Sequence, residues 1–379
     1  MKDVIIVGGG PAGLHAAYQL ASAGLDVSLF DSQKQIGERA VCSGVISIEA
    51  FSRFGLPTAP VLNSIRAVQA VSPAGHKIEH SGTVPLAHVV NKAEFNRELA
   101  TRAAAAGAEL CLGRFVEAVE QKKHGVTLQY HDKENREPQI AKARAVIIAS
   151  GVNRSLTAKL GLVRPRDFLR AIQADIPLGR DGAARPTKIY VGQSVAPGAF
   201  GWKIPLGHGR VRVGLMTSGE PRPYFKKLLG RMAPRLRPDQ YRISQKAIAQ
   251  WPQGRCVTDR VMVIGEAAGH VKTTTGGGIY YGLISAEMAA DVMARACRAN
   301  NFSEQTLSAF ENYARSTFNR ELETGYFFRK MVAKLPDSLL NKTFAKAGAI
   351  DLFGRLRGNL IFDWHYKAIL IAIRQLFNS

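Results

Sequence analysis

The sequence predicts an α/β protein: a parallel sheet at its centre, an antiparallel sheet inserted into it, and a helical C-terminal region. Three observations carry this. Short apolar runs at residues 3–7, 26–30, 145–149 and 260–264 each stop at a glycine, a serine or an acid, as strands buried on both faces do. Between them, residues 64–80, 187–192 and 210–215 alternate apolar and polar with period two, the pattern of half-exposed antiparallel strands. After Gly282 the periodicity is helical to the end of the chain.

Taken in order, the first run feeds Gly8, Gly9, Gly10, Pro11, Ala12 and Gly13, which open a small-residue helix over residues 12–23. This is the G-x-G-x-x-G spacing in its proper setting. Gly8 permits the tight turn, Gly10 lets a pyrophosphate approach the backbone, Gly13 allows close helix packing, and the helix N-terminus favours negative charge. Pro11 and Ala12 lie in the same turn. The second run ends at Asp31, where a carboxylate can hold the adenosine ribose. The fingerprint occurs once, so one resident dinucleotide is expected. The run at 260–264 delivers Gly265 and Glu266, an acid that can bind ribityl hydroxyls. NAD has no ribityl chain, so the dinucleotide is read as FAD, and the fold as a Rossmann-like FAD-binding domain.

The expected division is a discontinuous FAD-binding domain from residues 1–60, 85–155 and 250–298, a substrate or cap domain from 61–84 and 156–249, and the helical region 299–379. Within 210–215, Val211, Val213 and Leu215 are expected on the buried face, Arg210 and Arg212 on the outer one.

Composition narrows the setting. Hydrophobic residues at 46% and charged residues at 21% suit a sizeable globular core. The four cysteines, Cys42, Cys111, Cys256 and Cys297, form no CxxC pair, so neither a disulfide framework nor a metal site is expected and a reducing cytoplasm fits. A strand beginning at residue 3 leaves no signal peptide to expect, and no apolar run approaches the ~20 residues of a spanning helix. The formal charge is +21, and residues 161–260 alone hold 19 Lys and Arg against 6 Asp and Glu. Arg222, Lys226, Lys227, Arg231 and Arg235 recur near every fourth position, on one face of a helix starting at Pro223. A solvated face explains this, as does docking on a phosphorylated substrate or on an anionic membrane surface at the inner face of the membrane. Nucleic acid is disfavoured because no recognition fold accompanies the charge.

The segment from Gly265 to Gly282, with Gly276, Gly277 and Gly278 at its centre, resembles the flavin-contacting segment of the geranylgeranyl reductase family. Residues 197–205, PGAFGWKIP, are similar to that family's P-x-x-Y-x-W-x-F-P signature, with Phe200 in place of Tyr and Ile204 in place of Phe. Glu266 replaces the commoner Asp. Cys42 falls where several members place an active-site cysteine. Lys92 stands where related flavoproteins carry a basic residue near the cofactor, and Gly151 lies in a turn like their second flavin-contacting segment.

The resemblance implies an FAD-dependent oxidoreductase reducing carbon–carbon double bonds of an isoprenoid chain, with NADPH or a ferredoxin-like protein as electron donor. An isolated alkene accepts hydride only if a proton reaches the other carbon, and positive charge develops between. Aromatic faces stabilise such charge by about 0.5–2 kcal/mol. Phe200, Trp202, Tyr280 and Tyr281 are candidates for this, and Cys42 for giving the proton or positioning the substrate. A flavin monooxygenase or halogenase would share the fold and would consume oxygen. A non-catalytic flavin-binding protein with a basic docking surface is the other alternative. The C-terminal residues 364–377, with Trp364 and Tyr366 at one end and Ile369, Leu370, Ile373 and Phe377 at helical spacing, suit either packing on the flavin domain or lying on a membrane.

Overall fold

The computed structural model describes residues 1–132, 134, 137–178, 186–350 and 361–377, and leaves the side chains at 252, 253, 376 and 377 outside that description. Its centre is the parallel sheet. Lys2–Val7 pairs in parallel with Val27–Asp31 on one side and with Pro138–Ile148 on the other, and Val261–Val263 extends the sheet beyond Pro138–Ile148. Val27–Asp31 continues to Glu109–Leu112, again in parallel. The alternation of strand and helix forces this: Pro11–Ser22 returns the chain from the end of the first strand to the start of the second. Ile5, Ile6, Leu29 and Ile147 are fully buried, as strands covered on both faces require. The other end of Pro138–Ile148 turns antiparallel with Gly125–Asp132, which pairs in turn with Arg114–Lys122.

A second, seven-stranded sheet runs in the order Ser244–Gln253, Arg164–Pro177, Arg210–Thr217, Phe200–Gly207, Thr187–Val191, Ala67–Val71, Lys77–Ser81. Its neighbours are antiparallel apart from Thr187–Val191 and Ala67–Val71, which run parallel. No hairpin joins these two segments, so nothing in the connection imposes opposite directions. Val61–Ile65 does not enter this sheet. It pairs with Ala87–Val90, which also takes Val45–Ser47, in a separate three-stranded sheet.

The seven-stranded sheet has two different faces. On one, Val213, Leu215, Ile172 and Ala174 pack against Phe225, Leu228 and Leu229 of the helix Pro221–Met232. Glu220 caps this helix, which starts two residues before the expected Pro223. Arg222, Lys226, Lys227 and Arg231 are exposed along it, while Arg235 lies beyond its end. The opposite face looks onto the parallel sheet. Arg212 lies on that inner side and is 7% exposed, so its expected solvent exposure is corrected. The residues alternate as expected, but the polar face of this strand meets another part of the protein.

The C-terminal part is helical: Ile279–Ala299, Glu304–Val332, Asp337–Ala349 and Tyr366–Phe377. The last helix packs on Glu304–Val332, with Ile369 buried and Leu370 exposed, and the Phe377 side chain falls outside the description. Among the described residues no helix is long and apolar enough to cross a membrane.

Candidate functional site

A cavity of about 720 Å³ lies between the two sheets and runs from the glycine turn to the inner face of the seven-stranded sheet. Gly8, Gly10, Pro11, Ala12, Asp31, Cys42, Lys92, Gly151, Phe200, Trp202, Glu266, Gly276, Gly277, Gly278 and Tyr280 all line it. Gly13 and Gly265 stand behind the lining. A methyl group on Gly13 would sit 1.9 Å from the Gly8 carbonyl oxygen, which is why the helix can approach the strand only with glycine there.

At the nucleotide end, Pro11–Ser22 begins at Gly10 with no side-chain cap, leaving its first amides to other partners. A methyl group on Gly10 would meet nothing within 4 Å, so the turn is an open cradle. Asp31 is fixed beside it: Oδ2 accepts from the Gly9 amide at 2.6 Å and Oδ1 from the Gln33 amide at 2.7 Å. An uncapped helix N-terminus, an open backbone cradle and a fixed carboxylate suit the pyrophosphate and ribose of a dinucleotide.

Further along, four ionisable groups converge. Glu266, in the 3₁₀ turn Gly265–Ala268, accepts from Lys246 Nζ at 2.6 Å. Burial opposes the charge on Lys246, yet the Glu266 carboxylate holds its pKa above the ordinary value. Lys92 opens the helix Lys92–Ala105 behind an Asn91 cap and donates to Asn96 Oδ1. Burial pushes its ammonium down to about 8, with Cys42 close enough to oppose that shift and Lys246 to add to it. Cys42 is half-buried in an irregular turn, not packed in a core. A side chain on Gly151 would approach Glu266 Oε2 to 3.8 Å.

Beyond these groups the wall is apolar, with Ile65, Val68, Ile189, Phe200, Trp202, Ile204, Met216 and Ile248 along it. Pairing places Trp202 opposite Gly214, where a methyl group would fall 2.5 Å from the indole ring. The indole therefore lies flat across the strand, edge-on to Phe200 at 6.1 Å. Ile361 and Phe362 close the cavity from the C-terminal side, and Asp363 of that segment pairs with Lys272 at 2.6 Å in a buried ion pair.

Tyr280 reaches the cavity, but its hydroxyl is engaged by Glu49, and burial together with that carboxylate pushes its pKa up to about 12. Tyr281 does not line the cavity. Its ring packs on Phe318 and Trp364, and its hydroxyl donates to the Asp363 carbonyl. Lys246 escaped the sequence reading although strand alternation sets it on the same face as Ile248. Its partner Glu266 lies on another element, so only the fold reveals the pair.

The fold and this cradle define a flavoprotein, and comparison with known proteins agrees. Residues 1–170 match the family model described as an FAD binding domain, and with its reductase relatives this makes the chain an FAD-dependent oxidoreductase. Within that class its sequence is similar to archaeal reductases of geranylgeranyl lipids. It is 29% identical to digeranylgeranylglycerophospholipid reductase 2 of Methanothermobacter thermautotrophicus over 92% of each chain. It is 27% identical to the digeranylgeranylglycerophospholipid reductase of Methanocaldococcus jannaschii, over 89% of this chain and 88% of that one. A geranylgeranyl bacteriochlorophyll reductase-like protein from Thermoplasma acidophilum superposes with a TM-score of 0.87 at 22% identity, covering 100% of this chain and 97% of the other. A halogenase in complex with FAD shares the fold at a TM-score of 0.70 and 17% identity, over 98% of this chain and 85% of that one.

Proposed function

We propose that this protein reduces carbon–carbon double bonds in the isoprenoid chain of a lipid, at the junction between the glycine cradle and the apolar wall. One observation supports this most: a single cavity joins a dinucleotide cradle to a wall of aliphatic and aromatic side chains, with Cys42 and Lys92 where the two meet. Gly10 and the amides of Pro11–Ser22 would hold the pyrophosphate, Asp31 the ribose, and Lys92, Gly151, Glu266 and Gly276 to Gly278 the flavin end. Bound there, FAD supplies hydride.

The chain's own residues do the rest. Ile189, Ile204, Met216 and Ile248 take the prenyl chain out of water, so the alkene meets no competing proton source except those the protein provides. Cys42 Sγ is the group proposed to give a proton to one alkene carbon. The faces of Trp202 and Phe200 stabilise positive charge developing on the other. Tyr280, whose hydroxyl is committed to Glu49, contributes its ring.

Electrons come from NADPH or a ferredoxin-like protein, and the lipid from an anionic membrane surface. The basic helix Pro221–Met232 supports the second idea. It covers the face of the seven-stranded sheet opposite the cavity, so it serves to orient the protein and leaves the substrate path clear.

Oxygen separates this reading from a monooxygenase or halogenase. Reduced protein incubated with a prenyl lipid under argon is expected to yield saturated product, with no gain on adding oxygen. A strict requirement for oxygen would overturn the proposal.

A further inference from the structure

We infer that Arg212, assisted by Gln173, is a positioning residue for Cys42: a buried guanidinium on the inserted sheet grips the carbonyls of the cysteine turn and places the thiol in the cavity. This rests on the role proposed above for Cys42.

The geometry converges on one short turn. Arg212 Nε and Nη2 donate to Asp175 Oδ1 and Oδ2, each at 2.7 Å. Asp175 is its register partner on the neighbouring strand, so the carboxylate fixes the guanidinium by two parallel bonds. The remaining Nη1 is thereby aimed, and donates to the Ser43 carbonyl at 2.7 Å and the Cys42 carbonyl at 3.5 Å. Gln173, two residues before Asp175 and so on the same face, donates to the Cys42 carbonyl at 2.9 Å.

The turn is shaped to receive these donors. Gly44 has φ +74°, and a methyl group there would lie 2.5 Å from the Val90 carbonyl oxygen and 3.1 Å from Arg212 Nη1. Its amide donates to Cys42 Sγ at 3.4 Å, turning the side chain back over its own loop. A buried guanidinium is costly unless every direction is answered. Here the answers beyond Asp175 are the two carbonyls that flank one half-buried thiol. The tie also runs from the seven-stranded sheet to the turn ahead of Val45–Ser47, so the sheet carrying Trp202 sets the position of the cysteine. Misplacement by about 1 Å can cost a reaction roughly a hundredfold.

The test uses the FAD-loaded full chain bearing Arg212→Lys or Gln173→Leu, each alone and combined with Cys42→Ala. Lysine keeps the charge but not the fork. Two quantities are read: kcat and KM for reduction of a geranylgeranyl ether lipid, and the iodoacetamide alkylation rate at Cys42, followed by peptide mass spectrometry. Arg212→Lys is expected to lower kcat by about 10- to 100-fold with a smaller effect on KM, and to change the alkylation rate several-fold. In the Cys42→Ala background it should add nothing further. Additive losses in that background, or an unchanged alkylation rate, overturn the inference. Gln173→Leu gives the same reading if the arginine variant fails to fold. Should the wild type reduce no prenyl lipid, the proposed function fails, while the alkylation rates still decide whether Arg212 places the thiol.

Discussion

Replacing Gly10 by valine separates the fold from the cofactor. Gly10 has φ −81° and ψ 174°, an extended conformation open to any residue, and a methyl group there meets nothing within 4 Å. The protein without cofactor should therefore lose almost nothing, about 0.5 kcal/mol or less, and could gain from a stiffer unfolded chain. The same side chain would occupy the space a pyrophosphate needs against the helix N-terminus. Loss of at least about 100-fold in FAD affinity, roughly 2.7 kcal/mol, is expected. Gly13→Ala makes the contrast. Its methyl group would lie 1.9 Å from the Gly8 carbonyl oxygen, so backbone must move, at about 1–3 kcal/mol. Thermal melts of the apoprotein and FAD titration by flavin fluorescence measure both quantities. Retained FAD affinity in Gly10→Val, or an apoprotein that melts far below wild type, would refute the argument.

Further predictions follow from the ionisable groups and the surface. Lys92 loses its charge as pH rises through about 8, so FAD affinity should fall across that range, and Lys92→Met should flatten the profile; Cys42→Ser controls for the neighbouring thiol. In the cofactor-free protein the sign is opposite: its depressed pKa opposes folding below about 8, and that penalty fades as pH rises towards 10.5. Lys272→Met strands Asp363 in a site only 3% exposed and should cost about 3–5 kcal/mol in denaturant melts, whereas replacing both partners by apolar residues should cost far less. Flotation with anionic vesicles should recover the protein at low salt and less at high salt, with charge reversal at Lys226, Lys227 and Arg231 weakening it further. Equal recovery with neutral vesicles would defeat the electrostatic part.

The parallel strands and the glycine turn were legible because their signals are local. Apolar runs mark buried strands, and the observed bounds differ from the expected ones by a residue or two at Lys2–Val7, Pro11–Ser22 and Val27–Asp31. Pro138–Ile148 was half seen: its last residues form the apolar run, while its first half alternates and pairs antiparallel with Gly125–Asp132. The pairings that build the site were not legible. Lys246 meets Glu266 across 20 residues, Tyr280 meets Glu49 across 231, and Arg212 reaches Ser43 across 169. Period-two alternation tells which residues share a face. It does not tell whether water or another sheet lies against that face, which is why Arg212 was assigned to solvent.

The most direct measurement of the central claim is the mass of a geranylgeranyl lipid after anaerobic incubation with the dithionite-reduced, FAD-loaded protein. The account predicts a gain of two hydrogens for each bond reduced. It also predicts that Trp202→Leu, though less stable for the loss of a buried indole, retains its FAD and forms this product at least about tenfold more slowly. An unchanged lipid mass with fully reduced wild-type protein, or a Trp202→Leu variant as fast as wild type, would contradict it.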